Sequence, residues 1–195
     1  PVPGYENGYG SAMFDARTGQ ILWGKDEGRD VGRGVAADID PRYPGMECWG
    51  GAGGLFTSQG QDIGARPRSQ NFVIWWDGDL LRETLNSNRI AKWDWENGTE
   101  NTIFTAEGCT SNNGSKSNPA LSADLFGDWR EEVMFRTRDG KALKIFTTTI
   151  PTAPGDAGST GVKRVEQGDT GLQYAGAWSS NSSAPAASGG SFRYA

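Results

Sequence analysis

The 195-residue sequence contains no histidine. That absence removes a Ser-His-Asp triad, a Cys-His pair and every His-ligated zinc site from within the chain, so proton transfer falls to Lys, Arg, Tyr or a carboxylate. Cysteine is almost as scarce. Cys48 and Cys109 are too few for a zinc cluster and too far apart for a redox motif, which leaves either one disulfide formed in an oxidising compartment or two buried thiols. No apolar run approaches the length of a membrane span. Positive charge is also short: 19 Lys and Arg against 24 Asp and Glu give a net charge of -5. No basic stripe exists to displace the counterions of a nucleic acid, which excludes that polyanion as the main partner. The opening PVPGYENGYG has neither a basic n-region nor an apolar h-region, as expected of a processed secreted chain or an internal piece of a longer one.

Helical periodicity is missing too. Short alternating segments are interrupted by Gly, Asn, Asp and Pro at intervals of roughly 8 to 12 residues, the pattern of an all-β chain. Strands are expected at 10–14, 21–23, 35–38, 47–49, 55–57, 72–76, 80–84, 89–93, 103–104, 120–124, 132–136 and 143–146. Asp77-Gly78, Asn97-Gly98 and Asp139-Gly140 read as two-residue hairpin turns. A weak repeat underlies these elements. Asp15–Trp23, Trp93–Gly98 and Arg138–Leu143 look like inner hairpins of propeller blades, while Ala36–Asp40 and Ser122–Asp128 each run a short strand into an acidic turn. Blades of roughly 40 to 50 residues would number three or four here, so the expected fold class is an all-β partial β-propeller over 1–150. After Ile150 the stretch PTAPGDAGS reads as a linker. The remainder to 195 is either a disordered tail or the first strands of a second β-module.

Two acidic groups stand out. Asp124, Asp128 and Glu132 recur at every fourth position around Gly127, and a curled loop would bring their oxygens together around a hard cation such as Ca²⁺. Glu131 is then an exposed neighbour or an alternative ligand. Asp38, Asp40 and Glu47 form a looser set, stiffened by Pro41 and Pro44, with calcium again the expected ligand. The segment 111–118 (SNNGSKSN) is rich in amides and hydroxyls that suit sugar hydroxyls, and Gly114 gives a ligand access to the backbone. On composition alone it is a surface loop, and Arg33 alone is a solvent-exposed or carboxylate-paired arginine. The eight Trp are expected mainly in the core.

Taken together, DARTG at 15–19 with ILW at 21–23, GRDVGRGVAADIDP at 28–41, WWDGD at 75–79, SNNGSK at 111–116, Ala123-Asp124 and GDWREE at 127–132 resemble the bacterial rhamnogalacturonan lyases of polysaccharide lyase family 11. The resemblance runs in order through roughly the first 150 residues. It implies an eight-bladed β-propeller with structural calcium ions and a deep cleft, acting outside the cell on the rhamnose-galacturonate backbone of pectic rhamnogalacturonan I by β-elimination. It assigns candidate catalytic roles to Arg33 and Lys116, and rhamnose contacts to Asn113, Gly114 and Ser115, where Ser replaces the family's Thr.

Elimination needs the galacturonate C5 proton removed while the adjacent carboxylate is neutralised, which calls for a cation and a base and no nucleophile. Ca²⁺ and Arg33 are expected to neutralise the carboxylate while Lys116 accepts the proton, with the reverse assignment of the two side chains left open. The chain departs from the family at its ends. N-terminal blades are lacking, and the tail looks more like the opening of a jelly-roll carbohydrate-binding module, so a fragment is expected. The competing expectation is a non-catalytic, calcium-dependent sugar-binding or adhesive propeller segment, which would have no need of Arg33 together with the 113–116 loop.

Overall fold

The computed structural model describes residues 10–151, and the expected linker and tail beyond 151 lie outside them. Among the described residues there are fourteen strands and no helix. β1 (Gly10–Phe14) and β2 (Ile21–Asp26) form a two-stranded sheet. β3 (Gly34–Ala37), β4 (Glu47–Gly50), β5 (Leu55–Phe56) and β6 (Asp62–Gly64) form a second sheet in that order. The third holds β7 (Phe72–Ile74), β8 (Glu83–Asn86), β9 (Arg89–Asp94) and β10 (Thr99–Thr105). In the fourth, β13 (Glu132–Thr137) pairs with β11 (Cys109–Thr110), β12 (Leu121–Ala123) and β14 (Leu143–Phe146). Every pairing is antiparallel.

Period-2 alternation explains how the sheets pack. On β7, Val73 points into a core with Ala37, Ile39, Trp49, Leu55 and Trp93, between the second and third sheets. Its neighbour Ile74 points the other way, into a core with Leu85, Ile90, Cys109, Val133 and Phe135, between the third and fourth. The third sheet is thus apolar on both faces, and residues such as Ile74, Leu85 and Ile90 are fully buried. Each such side chain contributes about 1.5–3 kcal/mol by leaving water.

The all-β expectation holds, but the partial β-propeller does not: the described residues form four separate open sheets, and none of these closes. Hairpin signals and a short repeat determine which strands are neighbours within a sheet, because both are local. Closure depends on how whole sheets meet, and no local pattern carries that. Asp77-Gly78 is also not a two-residue turn, since β7 ends at Ile74 and β8 begins only at Glu83. Asp15 and Asp94 do share one hairpin design. The Gly19 N–H donates to the Asp15 carbonyl at 2.8 Å and the Gly98 N–H to that of Asp94 at 2.7 Å, and each glycine has the positive φ that design requires. Cys48 and Cys109 are buried free thiols, which resolves their two readings. Burial, helped by the charge of Glu47, pushes the Cys48 thiol up to about 11.

Candidate functional site

Arg33 immediately precedes β3, Asn71 immediately precedes β7 and Phe72 opens it, and the 111–118 loop leads into β12. Three sheets therefore deliver these residues to one end of the strands. The Arg33 guanidinium lies over the Phe72 ring at 5.2 Å and donates to the Lys116 carbonyl at 3.1 Å, joining residues 83 apart in the chain. A longer contact of 3.5 Å reaches Asn71 Oδ1, and Asn71 in turn donates to Asn86 at 2.9 Å. Arg33 is half-buried, pairs with no carboxylate among the described residues and is held by an aromatic face and neutral acceptors.

The 111–118 loop organises itself. Asn113 Oδ1 accepts the Lys116 N–H at 2.7 Å, its Nδ2 donates to Asn118 at 3.1 Å, and its carbonyl accepts from Ser111 Oγ and Ser117 N–H. Ser117 sits at a φ of 54, an uncommon left-handed position that lets the chain turn back. Asn113, Gly114, Ser115 and Lys116 are all exposed. A Cβ at Gly114 would meet nothing within 4 Å, so the space above that backbone is open. The Lys116 ammonium makes no ion pair among the described residues.

The opposite ends of the same strands carry three acidic loops of one design. In each, a buried glutamate opens the second strand and pairs with the last residue of the first: Glu47 with Ala37, Glu83 with Ile74, Glu132 with Ala123. One oxygen of each glutamate accepts two successive loop amides. These are Ile39 and Asp40 for Glu47, both at 3.0 Å; Trp76 and Asp77 for Glu83, at 2.8 and 3.3 Å; and Leu125 and Phe126 for Glu132, at 2.7 and 3.1 Å.

The aspartates differ from loop to loop. Asp40 pairs with Arg42 at 2.6 Å, while burial, reinforced by the charges of Asp40 and Asp79, raises the Asp38 carboxyl. Asp124 accepts the N–H groups of Gly127, Asp128 and Trp129, and Asp128 pairs with Arg130 at 2.6 Å. Glu131 is buried rather than exposed, and accepts the Trp75 N–H at 2.9 Å. The middle loop, Asp77, Asp79 and Glu83, offers carboxylate oxygens within 4.8 Å of one another, a spacing able to hold a divalent ion. Lys92 lies among them. Burial raises Glu83 to about 7, against the opposing charge of Lys92. The same burial would lower Lys92, yet the charge of Glu83 and hydrogen bonds to Asp77 and Asp79 hold it above its ordinary value.

A family model described as the C-terminal domain of rhamnogalacturonan lyase family 11 matches residues 4–155. The chain belongs to this family. It is 61% identical over 145 residues to rhamnogalacturonan endolyase YesW of Bacillus subtilis, a match covering 74% of this chain and 23% of that protein. Rhamnogalacturonan exolyase YesX of the same organism is 53% identical over 158 residues, covering 72% of this chain and 26% of that one. The solved YesW structure superposes with a TM-score of 0.72 at 59% identity, over 75% of this chain and 25% of that one. A Bacillus licheniformis rhamnogalacturonan lyase structure gives 0.71 at 54%, covering 74% and 25%. This chain therefore spans about a quarter of the length of the curated relatives it matches.

For this family-11 domain, sequence reasoning brought Arg33 and the 113–116 loop together, and the structure joins them directly. Phe72 and Asn71, which hold Arg33, were missed. An aromatic opening a strand is indistinguishable from core in one sequence. The middle acidic loop was missed because its Asp-Gly pair suggested a hairpin. Its Asp-x-Asp spacing, the same as that of Asp38 and Asp40, is the signal that would have found it.

Proposed function

We propose that this domain supplies Arg33 and Lys116 to a rhamnogalacturonan lyase that cleaves the rhamnose-galacturonate bond of pectic rhamnogalacturonan I by β-elimination, acting on the polymer outside the cell. The observation that carries the reading is the Arg33 contact with the Lys116 carbonyl, because it fixes a cation beside a loop that also exposes a lysine. Arg33 neutralises the galacturonate carboxylate, which makes the C5 proton acidic enough to remove. Lys116, in its neutral form, takes that proton. The C5–H electron pair becomes the C4–C5 double bond as the C4–O bond breaks, and the rhamnose-bearing oxygen leaves and is protonated. The fixed setting of Arg33 favours it as the neutralising charge, and the unpaired Lys116 side chain favours it as the base. Asn113, Gly114 and Ser115 contact rhamnose over the open space at Gly114.

Calcium belongs to the opposite end in this reading, at Asp38, Asp40 and Glu47 and at Asp124, Asp128 and Glu132. The first set fits a cation on one ground above all: Glu47 Oε1 is buried with no hydrogen-bond partner. Bound there, Ca²⁺ would neutralise the carboxylates and tie the loop to the start of β4. The segment after residue 150 is a separate unit in this reading, since the family match ends at 155.

The test is made in the full-length enzyme by following the near-ultraviolet absorbance of the unsaturated product. Arg33→Ala and Lys116→Ala should each lower turnover by about 10²–10³-fold, with oligosaccharide binding retained. Near-native product release by both variants would make these residues structural and end the assignment.

A further inference from the structure

In the middle acidic loop an ammonium group stands where a divalent cation would sit. Lys92 Nζ lies 2.8 Å from Asp77 Oδ2, 2.8 Å from Asp79 Oδ1 and 2.7 Å from Glu83 Oε1. It reaches all three carboxylates of the loop, including the fully buried glutamate whose other oxygen is taken by two backbone amides.

The sister loops treat the same position differently. Each glutamate has a cross-strand neighbour on the next strand of its sheet. Extending the observed register by one residue sets Thr57 opposite Glu47, Lys92 opposite Glu83 and Thr147 opposite Glu132. Threonine is short and neutral. Thr147 Oγ1 donates to Glu132 Oε1 at 3.1 Å, and Glu47 Oε1 has no partner at all. Neither threonine brings charge, whereas the four-carbon stem of lysine carries a point charge into the loop's centre. Arg42 and Arg130 do not substitute for it, because each engages a single aspartate of its own loop.

We infer that Lys92 is a resident cation that makes the Asp77, Asp79 and Glu83 loop independent of metal. The middle loop then keeps its shape at any calcium concentration. It is also joined to both sisters: the Arg82 N–H donates to the Asp38 carbonyl at 2.8 Å, and Trp75 and Glu131 exchange hydrogen bonds of 2.8 and 2.9 Å.

The experiment uses the full-length enzyme in native, Lys92→Ala and Lys92→Arg forms. Each is equilibrated with calcium chloride, freed of loose ions by gel filtration and assayed for bound calcium by mass spectrometry. Crystals of the native protein soaked in terbium chloride are measured for anomalous scattering at the loop. Lys92→Ala should hold one more calcium per chain than native, and Lys92→Arg the same number as native. The native loop should show no anomalous peak. A peak among Asp77, Asp79 and Glu83 in the native protein, or an unchanged count in Lys92→Ala, overturns the inference. Should Lys92→Ala fail to fold, the native anomalous measurement still decides it. The readout is a difference, so a lack of calcium in the outer loops lowers both counts equally and leaves this test intact.

Discussion

Replacing Glu47 by glutamine should have opposite consequences with and without calcium. In the metal-free protein, the Glu47 side chain presents one oxygen to the Ile39 and Asp40 amides and leaves Oε1 buried and unpartnered. An unmet buried polar atom costs about 1–3 kcal/mol, more when charged. Glutamine keeps a carbonyl for the two amides and removes the charge that Asp38 and Asp40 repel, so Glu47→Gln should equal the native protein or exceed it by about 1 kcal/mol in EDTA. With calcium at about 100 times its dissociation constant, the native protein gains about 2.7 kcal/mol from one site. The variant forfeits most of that. At about 2–4 °C per kcal/mol for a chain of this size, the rise in thermal midpoint on adding calcium should be about 5–11 °C greater for the native protein than for Glu47→Gln. Glu47→Ala separates charge from scaffold. It strands both amides, at about 1–3 kcal/mol each, so it should fall below the native protein in EDTA and further below it with calcium. If the midpoints of Glu47→Gln and native protein rise in parallel, calcium is not bound by Glu47.

Further outcomes follow from the same geometry. Burial raises the carboxyls of Asp38 and Glu47, so these two groups should contribute stability at acid pH that is lost as pH rises past the ordinary carboxylate range; calcium should abolish that contribution in chemical denaturation. Cys48, raised to about 11, and the buried Cys109 should resist alkylation at pH 8 in the native protein and react fully once it is unfolded, as mass spectrometry would register. Phe72→Leu removes the ring beneath Arg33, a contact of about 0.5–1 kcal/mol, and should lower kcat by about 2- to 5-fold with KM little changed. An equal loss confined to KM would place Arg33 in ground-state binding instead.

What the sequence disclosed follows the range over which each signal acts. Gly10–Phe14 and Leu143–Phe146 were legible to the residue because alternation and turn residues are local. The two-residue turn expected at Asp77-Gly78 is not made because Asp-Gly fits both a tight hairpin and a long loop, and here β8 begins only at the buried Glu83, six residues after Asp77. β6 and β11 escaped notice, being three and two residues long with little alternation to read. Arg33 and Lys116 became visible through the family resemblance, not through spacing. The contact that unites them spans 83 residues, and no local pattern encodes it. The same limit produced the partial-propeller expectation: a weak local repeat was read as a series of blades, whereas the described residues form four separate open sheets.

The two ends of the strands also constrain the chemistry. β3 has four residues, and β7 and β12 have three each. At about 3.3 Å per residue, the acidic loops stand roughly 10–13 Å from Arg33 and the 111–118 loop. A calcium ion held by Asp38, Asp40 and Glu47, or by Asp124, Asp128 and Glu132, is too distant to share a galacturonate carboxylate with Arg33. On the proposed reading, the expected joint action of these ions and Arg33 on the substrate would give way to a division of labour. In that reading, cations at the acidic ends, bound or built in as Lys92, would fix where β3, β7 and β12 end, and each strand would carry that position back to its start. On the same reading, the substrate's charge would be met within this domain by Arg33 itself. Loss of calcium from the acidic loops should accordingly act on the placement of Arg33 and Lys116, so that kcat falls with the thermal midpoint while the pH dependence of the surviving activity is unchanged. A pH profile displaced by calcium at constant stability would instead require a metal ion beside the reacting carboxylate.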